Sequence, residues 1–267
     1  MSTPTPTVSP ELRSLMRRLR LGQLLDTLPE RAALARQHEL SPLEFLEQLF
    51  SDEVSRRDTT SASVRARSAR LDPEMVLEAW DETADVTYDR AIWSELVSLR
   101  FVESAQNVLF LGPVGVGKTF LATALGHIAC RRRITVHFER ADRLQRRLKA
   151  ARLDASYEAE MRKLIGIELL ILDDLCIQSL DPTETADFYE IVIERHRRAP
   201  TVLTSNRDPS EWLAMMADPL LAQSAVDRLK SAAWELVIEG NSYRQREKPT
   251  LDHAPTTPTA VRRRRRA

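Results

Sequence analysis

The sequence predicts a three-layer α/β domain built on a parallel five-stranded sheet and preceded by a small helical N-terminal domain. Three observations carry that expectation. From residue 107 onward, five short apolar or β-branched runs (NVLFL, ITVHF, LLIL, TVLTS and WELVI) alternate with helical segments. Buried parallel strands joined by crossover helices have this pattern. Before residue 58 the apolar residues recur at steps of three and four, the period of helices. A glycine-rich turn lies between the first strand and the helix that follows it.

The bulk numbers suit such a fold. The chain has 267 residues, 43% hydrophobic and 29% charged, a globular composition with room for one large domain or a core with a small appendage. Basic and acidic residues number 39 each, so the net charge is zero and a globally basic nucleic-acid binder is not indicated. The arginines nevertheless bunch at Arg17, Arg18 and Arg20, at 131–133, from 140 through 152 and at 262–266, so local positive faces are expected. No run approaches the ~20 apolar residues that cross a bilayer, and no membrane partner is expected. The N-terminal stretch MSTPTPTVSPELRSL lacks a basic region followed by an apolar core, so no secretory signal is visible. Cys130 and Cys176 are far apart, each among apolar residues. They read as core filler in a reduced, cytoplasmic compartment.

Along the chain, residues 1–10 are rich in Ser, Thr and Pro and are expected to be disordered. Leu12, Leu15, Met16 and Leu19, then Leu24, Leu25 and Leu28, repeat at helical spacing. Ser41-Pro42-Leu43-Glu44 is a helix start: a capping serine, a proline at the first position and a glutamate that closes the box. Phe45, Leu46, Leu49 and Phe50 supply its apolar stripe. Residues 58–70 (DTTSASVRARSAR) are small, polar and basic, and read as an exposed linker. Residues 11–70 are thus a helical module with its linker. Residues 71–247 form the α/β domain, with a short helix from Asp72-Pro73 and another over 89–100. Residues 248–267, with the arginine run 262–266, are expected to be a disordered basic tail.

Gly112, Pro113, Val114, Gly115, Val116, Gly117, Lys118 and Thr119 fit G-x-x-x-x-G-K-[ST], after a strand and before a helix. Glycines let the backbone N–H groups curl toward phosphate oxygens, and the helix N-terminus adds partial positive charge. The motif predicts ATP as ligand, with Lys118 on the β- and γ-phosphates and the Thr119 hydroxyl on Mg²⁺. The apolar run Leu169-Leu170-Ile171-Leu172 then ends in two carboxylates. Asp173 is placed to hold the metal's hydration shell, and Asp174 to polarise the attacking water. Thr204-Ser205-Asn206 closes the next strand, where Asn206 either orients water and senses the γ-phosphate or belongs to a polar turn.

Between ITVHF and LLIL lies a basic helical segment that carries Arg140, Arg143, Arg146, Arg147 and Lys149. Charge alone leaves two readings open: a helix that neutralises DNA phosphates without reading sequence, or a solvated face.

These spacings resemble the AAA+ ATPases, and within them the IstB-like transposition helpers and the DnaC-like helicase loaders. The stretches that carry the resemblance are Leu19-Arg20-Leu21, LSPLEFLEQLF, Phe101-Val102-Glu103, NVLFLGPVGVGKT, LTSNRDPSEW, DPLLAQSAVDRL and EGNSYR. They cover roughly residues 10–247. The resemblance implies a P-loop AAA+ domain, a sensor role for Asn206, and an arginine finger at Arg228 that works in trans within a homo-oligomer. It turns the basic helix, with Arg143, Arg146, Arg147 and Lys149, toward DNA bound in a sequence-tolerant way. The implied function is an ATP-dependent helper of a cognate transposase that assembles on DNA with ATP and remodels or releases on hydrolysis. A replicative helicase loader is the alternative within the same class. A metabolic P-loop kinase would need an acceptor pocket and a lid that no segment marks. Many relatives carry Asp-Glu where this chain has Asp173-Asp174, so a non-catalytic ATP-dependent scaffold stays open. Arg244 falls in a resembling stretch without an assigned role.

Overall fold

A computed structural model describes residues 8–243. Helix α1 (Pro10–Arg18) opens on Ser9, whose hydroxyl accepts the Leu12 N–H at 3.1 Å. Regular structure therefore begins inside the segment expected to be disordered. Helices α2 (Leu24–Gln37) and α3 (Pro42–Ser68) follow. The predicted capping box forms: Ser41 N–H donates to Glu44 at 2.8 Å, and Glu44 N–H donates to the Ser41 hydroxyl at 3.3 Å. Met16, Leu24, Leu28 and Leu49 bury one another in a small cluster, while Leu12, Leu15, Leu19, Leu43, Leu46 and Phe50 stay exposed.

The expected linker at 58–70 is a correction, because α3 continues unbroken to Ser68. Ala62 and Ala66 are buried on the side that meets the helix after the glycine-rich loop, and Arg65 donates to the Cys130 carbonyl of that helix at 2.9 Å. The small residues that suggest a loop in the sequence instead let two helices approach closely there. At the end of α3 the Ala69 carbonyl accepts the Phe138 N–H at 2.9 Å, which ties the helix to the edge of the main sheet.

Asp72-Pro73 opens a turn, not an α-helix, and only a 3-10 turn follows at Leu77–Ala79. Next come β1 (Val86–Thr87), α4 (Arg90–Ser98, capped by Asp89) and α5 (Arg100–Glu103). The core then runs β2 (Asn107–Leu111), α6 (Lys118–Arg131), β3 (Val136–Arg140), α7 (Ala141–Leu153), α8 (Tyr157–Gly166) and β4 (Leu169–Asp173). It closes with α9 (Pro182–Arg195), β5 (Thr201–Ser205), α10 (Pro209–Met215), α11 (Pro219–Lys230), β6 (Ala233–Val237) and β7 (Glu239–Gly240).

The five-stranded sheet is parallel in the order β3-β4-β5-β2-β6. Val108, Phe110, Leu169, Ile171, Val202 and Leu236 face α3, α4 and α6, whereas Leu109, Leu111, Leu170, Leu172 and Leu203 face α7 to α11. Both faces are covered, which is why the central strands read as continuous apolar runs. No sequence pattern marks the β1–β7 pair, which joins Val86 to Gly240 and clasps the segment before the sheet to the one after it. Among the described residues no helix is long and apolar enough to cross a membrane. Cys130 and Cys176 are buried free thiols, both pushed up by burial, to about 11 and about 12. Arg244 and the arginine run 262–266 lie outside the described residues.

Candidate nucleotide and metal site

Strand β2 ends at Leu111 and α6 starts at Lys118, so residues 112–117 form a loop at the C-terminal end of the sheet. Gly115 and Gly117 take φ of +89° and +97°, and a Cβ on Gly115 would lie 2.0 Å from the Ser242 hydroxyl oxygen. Only glycine fits there. No side chain caps α6, so its first N–H groups and the loop's own N–H groups make a cradle suited to an anion. Lys118 is 6% exposed, and its ammonium donates to the carbonyls of Gly112 at 2.7 Å and Pro113 at 2.6 Å. A cation is thus fixed inside the cradle, as a polyphosphate requires.

At the end of β4, Asp173 is 3% exposed. Its Oδ1 accepts the Thr119 hydroxyl at 2.8 Å and the Thr204 hydroxyl at 2.6 Å. Burial raises the Asp173 carboxyl above the ordinary range, against the pull of those two hydrogen bonds. A buried carboxylate beside a hydroxyl is an oxygen donor pair that fits a hard divalent cation whose remaining ligands are phosphate and water. Asp174 follows at φ +58°, with its N–H on the Thr204 hydroxyl at 2.9 Å and its carboxylate 3.9 Å from Arg140. A groove of about 1200 Å³ between α3, residues 70–76 and α6 leads to Thr119, Asp173, Asp174 and Arg140.

Sequence reasoning assigns Thr204 and Arg140 no role at the acid pair, and it counts Arg140 to the basic helix, whereas Arg140 is the last residue of β3. The signal for Thr204 was present: it is a buried polar residue within an apolar strand, and the Leu172–Leu203 register sets it beside Asp173. Asn206 sits just past the end of β5, is exposed, and its side chain makes no hydrogen bond among the described residues. Arg228 is half-buried on α11, in the layer opposite α6, and donates to the Ser224 carbonyl at 3.0 Å and to its hydroxyl. It makes no ion pair with Asp173 or Asp174 of its own chain.

The four α7 residues expected to meet DNA divide into two pairs. Arg143 and Arg146 are exposed, and Arg146 pairs with Asp142 at 2.9 Å. Arg147 instead pairs with buried Glu139 at 2.6 Å and with Glu160. Lys149 bridges Asp181 at 2.7 Å and Glu184 at 2.8 Å, and these carboxylates hold its ammonium up at about 12.

A parallel sheet in this order, with a phosphate cradle after β2 and an acid pair after β4, defines a P-loop AAA+ nucleotide-binding protein. Solved structures agree on the fold: the chain is similar to DnaI (TM-score 0.55, 22% identity, 63% of this chain and 95% of that one). It is likewise similar to the DnaC helicase loader (TM-score 0.52, 21% identity, 62% of this chain and 98% of that one). Within that class the sequence of the IstB-like ATP binding protein family matches residues 14–250, and the chain belongs to that family. Relatives include an insertion-sequence ATP-binding protein of Mycobacterium tuberculosis, 35% identical over 90% of this chain and 96% of its own length. Another is the IS21 ATP-binding protein of Pseudomonas aeruginosa, 36% identical over 89% of this chain and 90% of its own.

Proposed function

We propose that this protein is the ATP-hydrolysing helper of a mobile-element transposase, and that it assembles on DNA as a homo-oligomer. The observation that carries the reading is the 2.8 Å hydrogen bond between Thr119, at the mouth of the cradle, and Asp173 at the end of β4. It brings together the two oxygen donors that a P-loop enzyme uses for Mg²⁺. When bound, Mg²⁺ neutralises charge on the phosphate oxygens. Lys118 and the loop N–H groups orient the phosphates, and Asp174 takes the proton of the attacking water. Arg228 completes the site of a neighbouring protomer, which suits its place away from its own acid pair. Arg143 and Arg146 meet DNA phosphates, whereas Arg147 and Lys149 serve the fold, because carboxylates already take up their charge. The insertion-sequence relatives support a transposase as partner.

The test is strand transfer by the cognate transposase on DNA carrying its element's ends. The protein with ATP and Mg²⁺ raises the yield, and Lys118→Ala does not. Equal yields with and without the wild-type protein would overturn the reading.

A further inference from the structure

The groove of about 1200 Å³ that reaches Thr119, Asp173 and Asp174 runs on along α6, away from the phosphate cradle. Thr119, Thr123, His127 and Arg131 all line it and recur at every fourth residue. They form one polar row on the helix, each about 6 Å beyond the last. His127 fixes the far wall by donating its Nε2–H to the Asp72 carbonyl at 2.8 Å. Thr123 stands between that wall and the catalytic end. It is 1% exposed, and its hydroxyl has no hydrogen-bond partner among the described residues. An enclosed, unpaired hydroxyl is destabilising, and a helical threonine has two accessible χ1 rotamers. Rotation about χ1 can therefore turn it toward a ligand in the groove.

Charge decides what that ligand is. Arg67 of α3 lines the groove and makes no ion pair among the described residues. Arg131 has only Glu78, at 3.5 Å, and both side chains of that pair are exposed. Such a pair contributes little and yields to a better acceptor. Of the acids in the groove, Asp58 is met by Arg133 at 2.8 Å, and Asp72 accepts the Glu74 N–H at 3.0 Å. Asp173 and Asp174 stand at the catalytic end. A hydroxyl within and two guanidiniums without tight partners suit a small tetrahedral anion.

Elsewhere the loop of the cradle is packed against protein. A Cβ on Gly112 would lie 2.0 Å from the Ile238 carbonyl oxygen, and one on Gly117 would lie 2.7 Å from the Trp80 ring. The Tyr243 N–H donates to the Gly115 carbonyl at 2.9 Å. None of these three partners lines the groove. An anion freed at the acid pair can thus enter the groove without displacing a nucleotide from the loop.

We propose that this groove is a binding site for inorganic phosphate, and the route by which the cleaved γ-phosphate leaves while ADP is still bound. Thr123 holds the anion on its way, and Arg131 and Arg67 draw it to the mouth. The inference rests on the ATP-hydrolysing reading above and adds the path of one product from that site.

The first measurement is equilibrium dialysis of radiolabelled inorganic phosphate against the protein loaded with ADP and Mg²⁺, for wild type, Thr123→Val and Arg131→Gln. Valine keeps the shape of the threonine side chain, and Arg131 is exposed, so the second variant holds the test if the first fails to fold. Each is expected to bind phosphate about tenfold more weakly, as for loss of one hydrogen bond to a charged group, with ADP affinity unchanged. The second measurement is steady-state hydrolysis with added phosphate. Wild type is expected to lose kcat without a rise in KM for ATP, and the variants to need about tenfold more phosphate for the same loss. Phosphate that competes with ATP would place it on the cradle and overturn the groove site, as would dialysis curves that coincide for all three proteins. Displacement of the labelled phosphate by a mixed-sequence duplex would give the groove to DNA and overturn the exit route. A wild type that binds phosphate in the groove but cleaves no ATP in a chemical-quench single turnover would instead bring down the hydrolysis reading, and the exit route with it.

Discussion

The hydroxyl of Thr204 donates to Asp173 Oδ1 at 2.6 Å while it accepts the Asp174 N–H at 2.9 Å, so one side chain of β5 fixes both members of the acid pair. Replacing it by valine keeps the shape and removes both bonds. Thr204→Val is expected to lower kcat about tenfold with ATP affinity within about twofold of wild type, as for loss of one to two hydrogen bonds. Thr204→Ser should restore most of the rate. Steady-state kinetics beside equilibrium nucleotide titration make the comparison, and an unchanged kcat would remove Thr204 from the site.

Lys118 and Asp173 should separate binding from turnover. Lys118→Ala removes the side-chain cation held at the loop carbonyls and is expected to weaken ATP binding by roughly 100-fold or more. Asp173→Asn keeps the Thr119 contact but loses the charge, and should reduce Mg²⁺-dependent hydrolysis far more than nucleotide affinity. Titration calorimetry and phosphate release distinguish the two.

DNA affinity should fall steeply with salt. Each phosphate contact contributes about 0.9 to the slope of log affinity against log salt. The double variant Arg143→Ala, Arg146→Ala is expected to reduce that slope by about two. Lys149→Ala should leave it unchanged, because Asp181 and Glu184 already hold that ammonium. Overlapping wild-type and double-variant titrations would make α7 a solvated face.

Glu139 links fold stability to pH. Burial alone would raise its carboxyl, but the hydrogen bonds from His137 and Arg147 overcome that and hold it at about 2, well below the ordinary 4.5. The folded pKa lies below the unfolded one, so this stabilisation is complete above about pH 4.5 and is lost as pH falls toward 2. It amounts to about 3 kcal/mol as an order of magnitude. Glu139→Gln should therefore lower Tm at pH 7 by several degrees and flatten the acid limb of the Tm–pH curve between those values. An acid limb identical to wild type would exclude this pair as its source.

Arg228 tests assembly. Its guanidinium lies in the layer opposite α6, so Arg228→Ala should bind ATP almost normally and hydrolyse it roughly 10³-fold more slowly if one protomer completes the next. Wild-type specific activity should rise with protein concentration. Mixing Arg228→Ala with Lys118→Ala should restore partial activity, since a mixed interface can pair an intact cradle with an intact finger. A co-assembled mixture that stays inactive would rule out action in trans.

The helix start at Ser41, the glycine-rich loop and the acid pair were legible in the sequence because each is a local object. Ser41 and Glu44 are three residues apart, and the cradle is eight consecutive residues whose glycines take the backbone angles their neighbours demand. The alternation of apolar strands with helices was enough for the layers, since burial on both faces leaves its mark on every strand. Other features were settled by contacts between distant segments. Residues 58–68 are helical because α6 receives their small side chains, and no local pattern records that partner. Thr204 reaches the acids only because β5 lies beside β4. Which arginines of α7 face solvent depends on where Glu139 and Glu160 fall once β3 and α8 have packed against it. A charge in a sequence has a sign but no partner, and whether it remains available to a ligand is decided by the carboxylates that tertiary packing brings within about 3 Å of it.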